Sequence, residues 1–161
     1  MKRAAPSRRA FTLMEALVVI IVLAIAVPPT VSFLNQSSAM RADAINTQRA
    51  TTLAQGVMES VLADVNSTST GLGYSALANM PSYLDTPTTG LRARITGMSG
   101  VYTGTGMSYS VSASGQVSSS GSATGNASQD VFRIVTVTVT YPSAQQSTNL
   151  SISLSALVTD L

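Results

Sequence analysis

Residues 8–27 read RRAFTLMEALVVIIVLAIAV, and the reading of this run decides the fold. Two arginines close a basic segment, and from Phe11 to Val27 the only charged side chain is Glu15. Apolar character resumes after Pro28-Pro29 with Val31, Phe33 and Leu34. A helix over residues 11–34 would be about 36 Å long, enough to cross a bilayer with some tilt. A carboxylate inside such a helix costs roughly 2.5–3.5 kcal/mol at the bilayer centre and less near an interface. An acid in that position is therefore expected to face protein and to have a partner.

The remainder of the 161 residues is different in kind. Beyond Leu34 the chain is rich in Ser, Thr, Gly and Ala, and only 10% of the whole is charged, well below the usual quarter. Four of the nine basic residues (Lys2, Arg3, Arg8, Arg9) precede Phe11, with no acid among them. Five arginines then face seven acids, a balance of −2, so the formal +2 belongs to the leading segment. A basic flank on an apolar helix marks the cytoplasmic side of a membrane and does not point to nucleic acid. Cys and His are absent. That removes disulfides, thiolate nucleophiles, the usual zinc ligands and imidazole bases.

Three readings of the N-terminal run compete. A secretory signal peptide would use the basic segment, an apolar stretch from Ala16 to Leu23 and the small-x-small site Ala24-Ile25-Ala26, but leaves Glu15 unexplained. A plain signal anchor would keep Glu15 near the cytoplasmic interface. The third reading rests on more positions: RRA-FTLMEALVVIIVLAIAV resembles the leader and N-terminal helix of type IV pilins and type II secretion pseudopilins. The resemblance covers the leader and the apolar helix behind it and leaves the rest of the chain untouched. It implies a basic leader over residues 1–10, cleavage by prepilin peptidase between Ala10 and Phe11, and N-methylation of Phe11. Glu15 becomes the fifth mature residue, which in that family pairs with the α-amino group of a neighbouring subunit. The chain departs from the family at Ala10, where Gly is usual. Family members often carry a helix breaker where Pro28 and Pro29 stand. A proline within a helix removes a hydrogen bond and kinks or opens it at ~3 kcal/mol. The alternative is a helix that ends at Val27, followed by another.

From Val31 to Val65 the pattern is again helical. Leu53, Val57, Val61 and Val65 recur every fourth residue, flanked by Ala54, Met58 and Leu62, with Gln48, Thr52, Gln55, Glu59 and Asp64 mostly off the stripe. Gly56 costs up to ~1 kcal/mol there. Ser, Thr and Gly from Asn66 to Gly73 predict the helix end. Residues 74–90 read as an irregular connector. Period-two alternation then predicts strands at Leu91/Ala93/Ile95, Met107/Tyr109/Val111/Ala113, Val135/Val137/Val139 and Leu150/Ile152/Leu154. The Gly/Ser-rich stretch 113–128 predicts a mobile loop.

These elements in this order predict an α+β chain: a long N-terminal helix, apolar in its first half, packed on an antiparallel sheet. Its segments are a leader (1–10), an apolar membrane and assembly helix (11–34), an amphipathic helix half (35–66), a connector (67–90) and a sheet domain (91–161). The dispersed acids form no D-x-D cluster for calcium, serines lack a base, and nothing resembles a phosphate loop. No enzyme activity, cofactor or metal is expected. Arg92 and Arg94, read on one strand face, are a solvated edge rather than a DNA contact. The resemblance implies prepilin peptidase, other pilin or pseudopilin subunits and the cytoplasmic membrane as partners. It implies a structural subunit of a type IV pilus or a type II secretion pseudopilus, and low charge, absent cysteines and the lack of a calcium cluster favour a minor subunit over a major one. The sheet domain would lie outside the cytoplasm. The alternative is an anchored or secreted β-rich binding protein with an ordinary signal sequence.

Overall fold

The computed structural model describes residues 12–160; the leader, the Ala10–Phe11 junction and Leu161 lie outside the described residues. The chain divides into two compact units, Met1–Arg41 and Ala42–Leu161. Helix α1 (Leu13–Val65) is a single 53-residue element, and its assignment continues through Pro28 and Pro29. Prolines lack an amide hydrogen, so the carbonyls of Ala24 and Ile25 lose their i+4 donors. The Thr30 hydroxyl donates to the carbonyl of Ala26. The helix ends at Val65, as the Ser/Thr/Gly run at 66–73 predicts.

In the second unit, the face of α1 carrying Ala50, Leu53, Ala54, Val57, Met58 and Val61 is buried in the core. Each large side chain there contributes about 1.5–3 kcal/mol by leaving water. Opposite it lies a three-stranded antiparallel sheet in the order β1 (Ser108–Ala113), β2 (Phe132–Pro142), β3 (Asn149–Thr159). Val135, Val137, Val139 and Tyr141 of β2 are buried on the core side. The alternate residues make an outer face of hydroxyls. Ser112, Thr136 and Ser155 are aligned across it, as are Ser110, Thr138 and Ser153, and Ser108, Thr140 and Ser151. The Thr136–Ser155 and Thr138–Ser153 hydroxyls are hydrogen-bonded at 2.9 Å.

Residues 74–103 correct the sequence reading. Where a connector is predicted, a 3-10 turn (Tyr74–Ala78) and α2 (Met80–Asp85) stand. Where a strand is predicted at 91–96, α3 (Leu91–Arg94) and α4 (Thr96–Thr103) stand. Leu91, Ile95 and Ser99 are buried and Ala93 is exposed, a spacing of four rather than two. The sheet therefore begins at Ser108, not in the region of Leu91. Gly90 allows the tight approach before α3: a Cβ there would lie 2.6 Å from the Leu84 carbonyl oxygen.

The Gly/Ser-rich loop is tied down rather than loose. Val117 and Phe132 exchange backbone hydrogen bonds at 2.7 and 2.9 Å. The Asp130 carboxylate accepts from the amides of Thr124 and Gly125 and from the Thr124 hydroxyl at 2.9–3.0 Å. Burial opposes the charge on Asp130, but these donors outweigh it and lower the carboxyl's pKa.

Candidate functional site: the N-terminal helix and its glutamate

Thr12 immediately precedes α1, and its Oγ1 accepts a hydrogen bond from the Glu15 amide at 3.2 Å. Thr12 and Glu15 stand at the first and last positions of a T-x-x-E capping pattern, of which the Thr12 half is made. An acid in the first turn also faces the positive end of the helix dipole, worth typically 0.3–1 kcal/mol. This local role was readable from the sequence as a threonine three residues before a glutamate at the head of an apolar run. Among the described residues Glu15 has no ion-pair partner. Phe11, whose amine the pilin resemblance would supply, lies outside the described residues, as does Ala10.

Behind Glu15 the helix is apolar on all sides and exposed. Ile20 is 66% exposed, Ile25 72% and Phe33 69%. An all-round apolar helix is ordinarily buried in protein or in lipid. The segment is long and apolar enough to cross a membrane, with none of its most apolar window buried. Pro28 and Pro29 sit within it.

Arg92 and Arg94 do not share a strand face; both lie in α3. Arg92 pairs with Asp85 at 2.7 Å on the surface. Arg94 grips Asp64 with both terminal nitrogens, Nη1 donating to Oδ1 at 2.7 Å and Nη2 to Oδ2 at 2.5 Å. The Tyr83 hydroxyl donates to the same carboxylate at 2.6 Å, and Arg94 Nε donates to the Thr89 carbonyl at 2.9 Å. The hydrogen bonds that Arg94 donates to Asp64 raise the Arg94 pKa, and burial followed by the Asp64 carboxylate raises that of Tyr83. Asp64, placed off the apolar stripe by pattern, is buried and ties the end of α1 to α2 and α3.

A second tie lies at the β2–β3 turn. Asp43 accepts from the Ala144 amide at 2.6 Å, the Ser143 hydroxyl at 3.1 Å and Gln145 Nε2 at 3.0 Å. The Ala144 hydrogen bond foremost lowers its pKa. Asn46 Nδ2 donates to the Pro142 carbonyl at 3.1 Å, and the Thr47 and Tyr141 hydroxyls lie 3.1 Å apart.

No chemistry-bearing cluster emerges from this arrangement. Among the described residues no group of three or more acids, histidines or cysteines could hold a metal. A cavity of about 410 Å³ lies between the 69–72 segment, α2 and Arg94, but the guanidinium on its wall is already engaged by Asp64. Searches against protein families, curated proteins and solved structures find no match to this chain.

Proposed function

We propose that this chain is a type IV pilin-like prepilin, a structural and minor subunit of a type IV pilus or a type II secretion pseudopilus. The observation that carries the reading is one acid, Glu15, in the first turn of an exposed apolar helix and directly behind FTLM. Prepilin peptidase cuts between Ala10 and Phe11 and methylates the new amine. Glu15 of one subunit then pairs with that amine on the next. A helical filament gives every subunit the same neighbour, so a head-to-tail contact repeats without closing. Before assembly the helix holds the precursor in the cytoplasmic membrane, and the sheet unit lies outside the cytoplasm.

A second reading is favoured by the capping geometry. If Thr12 and Glu15 serve only to start the helix, an anchored or secreted β-rich binding protein with an ordinary signal sequence needs no partner for the acid.

Intact mass and N-terminal sequence of the protein recovered from native membranes separate the two. The filament reading expects a chain beginning at Phe11 and carrying an added methyl. A chain beginning at Val27 identifies a cleaved signal peptide, and an uncut chain identifies an anchor; either overturns the proposal.

A further inference from the structure

Strand β3 ends the sheet, and among the described residues its outer edge has no hydrogen-bonding neighbour. Exposed edges are normally blunted by charge, proline, bulges or shortness, because unpaired amides and carbonyls invite another strand. β3 uses none of these. It is 11 residues long, contains no Lys, Arg, Asp, Glu or Pro, and pairs with β2 in unbroken register from Asn149 to Thr159. The core also runs out beneath it. Leu154 is directly opposite the fully buried Val137 on the core side of the sheet, yet remains 36% exposed.

The sequence NLSISLSALVT supplies its own complement. An antiparallel copy turned about a two-fold axis at Leu154 sets Leu154 against Leu154, Ile152 against Ala156 and Leu150 against Val158. All of these lie on the core side. On the other side Ser153 meets Ser155 and Ser151 meets Leu157. No charge meets a like charge in this register. Leu154 against Leu154 and Leu150 against Val158 continue the apolar side of the sheet, and directly opposite side chains of two antiparallel strands lie close enough to pack. We propose that β3 is the contact of a two-fold dimer of this chain, in which two three-stranded sheets join edge to edge. The β1 edge is less suited, at 6 residues. The inference stands independently of the filament reading: a two-fold contact closes on itself, whereas a head-to-tail contact repeats. The dimer is thus a closed state, distinct from any filament.

The chain has no cysteine, so single cysteines report on the contact without background. Full-length Leu154→Cys in native membranes, mildly oxidised, is expected to give a dimer that reduction removes. Ile152→Cys and Ala156→Cys are each expected to stay monomeric alone and to dimerise when co-expressed. In the two-fold register each of these cysteines faces the other position, and its own copy lies about 13 Å along the strand, beyond the 4.4–6.8 Å Cα range of a disulfide. Co-expressed Ser153→Cys and Ser155→Cys repeat the test on the exposed face, should a change at Leu154 impair folding. Absence of dimer in both Leu154→Cys and the mixed pairs overturns the proposal. So does equal cross-linking of Ile152→Cys with itself, which signals parallel pairing, or of Ser110→Cys on β1, which signals random collision.

Discussion

A single substitution separates the pairing proposed for Glu15 from its place in the first turn of α1. A capping pattern accepts Gln at its last position as readily as Glu, because either side chain can reach back to the amide of the N-cap residue, here Thr12. A partner amine, by contrast, requires the negative charge. Glu15→Gln is therefore expected to insert in the membrane at wild-type levels and to fail in filament incorporation, measured by shearing and immunoblotting of the surface fraction. Normal incorporation would leave Glu15 with its local capping role alone. At Asp64 the expected effect is on stability. Removing one partner from a buried pair costs ~3–5 kcal/mol, and since Arg94 keeps 31% of its side chain in water, Asp64→Asn is placed at about 3 kcal/mol. Chemical denaturation against wild type checks it. The two clamping carboxylates, Asp43 and Asp130, give a pH dependence. Both have lowered pKa values in the folded state. Their contribution is complete above the ordinary carboxylate value, about pH 4, and is lost as pH falls through the lowered folded values. Thermal melts from pH 6 down to pH 2 should show that loss, with a shallower slope in Asp43→Asn.

At the scale of elements, the two prolines give α1 a defined weak point. Each absent amide leaves a carbonyl without its donor, at Ala24 and Ile25. Pro28→Ala with Pro29→Ala is expected to slow amide exchange between residues 24 and 33 in micelles; unchanged exchange would mean that the turn is already closed by other groups. The strong periods of this chain were legible in its residues. The Leu53–Val57–Val61–Val65 stripe and the Val135–Val137–Val139 alternation both became buried faces. The short span at 91–96 was not, because Leu91 and Ile95 satisfy a period of two and a period of four equally well. Tertiary packing decides between them: Leu91, Ile95 and Ser99 are buried together at a spacing of four, and Arg94 pairs with Asp64. Asp64 itself read as polar and off the stripe, since its partner lies thirty positions on and no local pattern announces it. The tied loop is a similar case, in which one distant carboxylate, Asp130, gathers donors that composition alone describes as flexible. The Thr12 cap was missed although a threonine three residues before Glu15 could have announced it, and the amine proposed to pair with Glu15 belongs to a different chain.

For the molecule as a whole, the division of burial between its units carries the last expectation. Among the described residues every buried core side chain, from Ala50 to Val158, belongs to the unit Ala42–Leu161. Residues 13–34 add no buried side chain to it and expose Leu, Ile and Val throughout. An apolar surface of that extent is a liability in water and an asset in lipid or against like helices. The sheet unit should accordingly not depend on the apolar one for its fold. Residues 42–161 expressed alone are expected to be soluble and to unfold in one cooperative transition, followed by circular dichroism, while the full chain requires detergent or membrane. Two ties near the start of that fragment, Asp43 to the β2–β3 turn and Asn46 to Pro142, are kept by a cut before Ala42 and lost by a cut at Thr47. A fragment beginning at Thr47 is therefore expected to melt at lower temperature than one beginning at Ala42. Equal melting temperatures would show that the turn holds itself, and a molten longer fragment would show that the apolar helix is part of what stabilises the sheet.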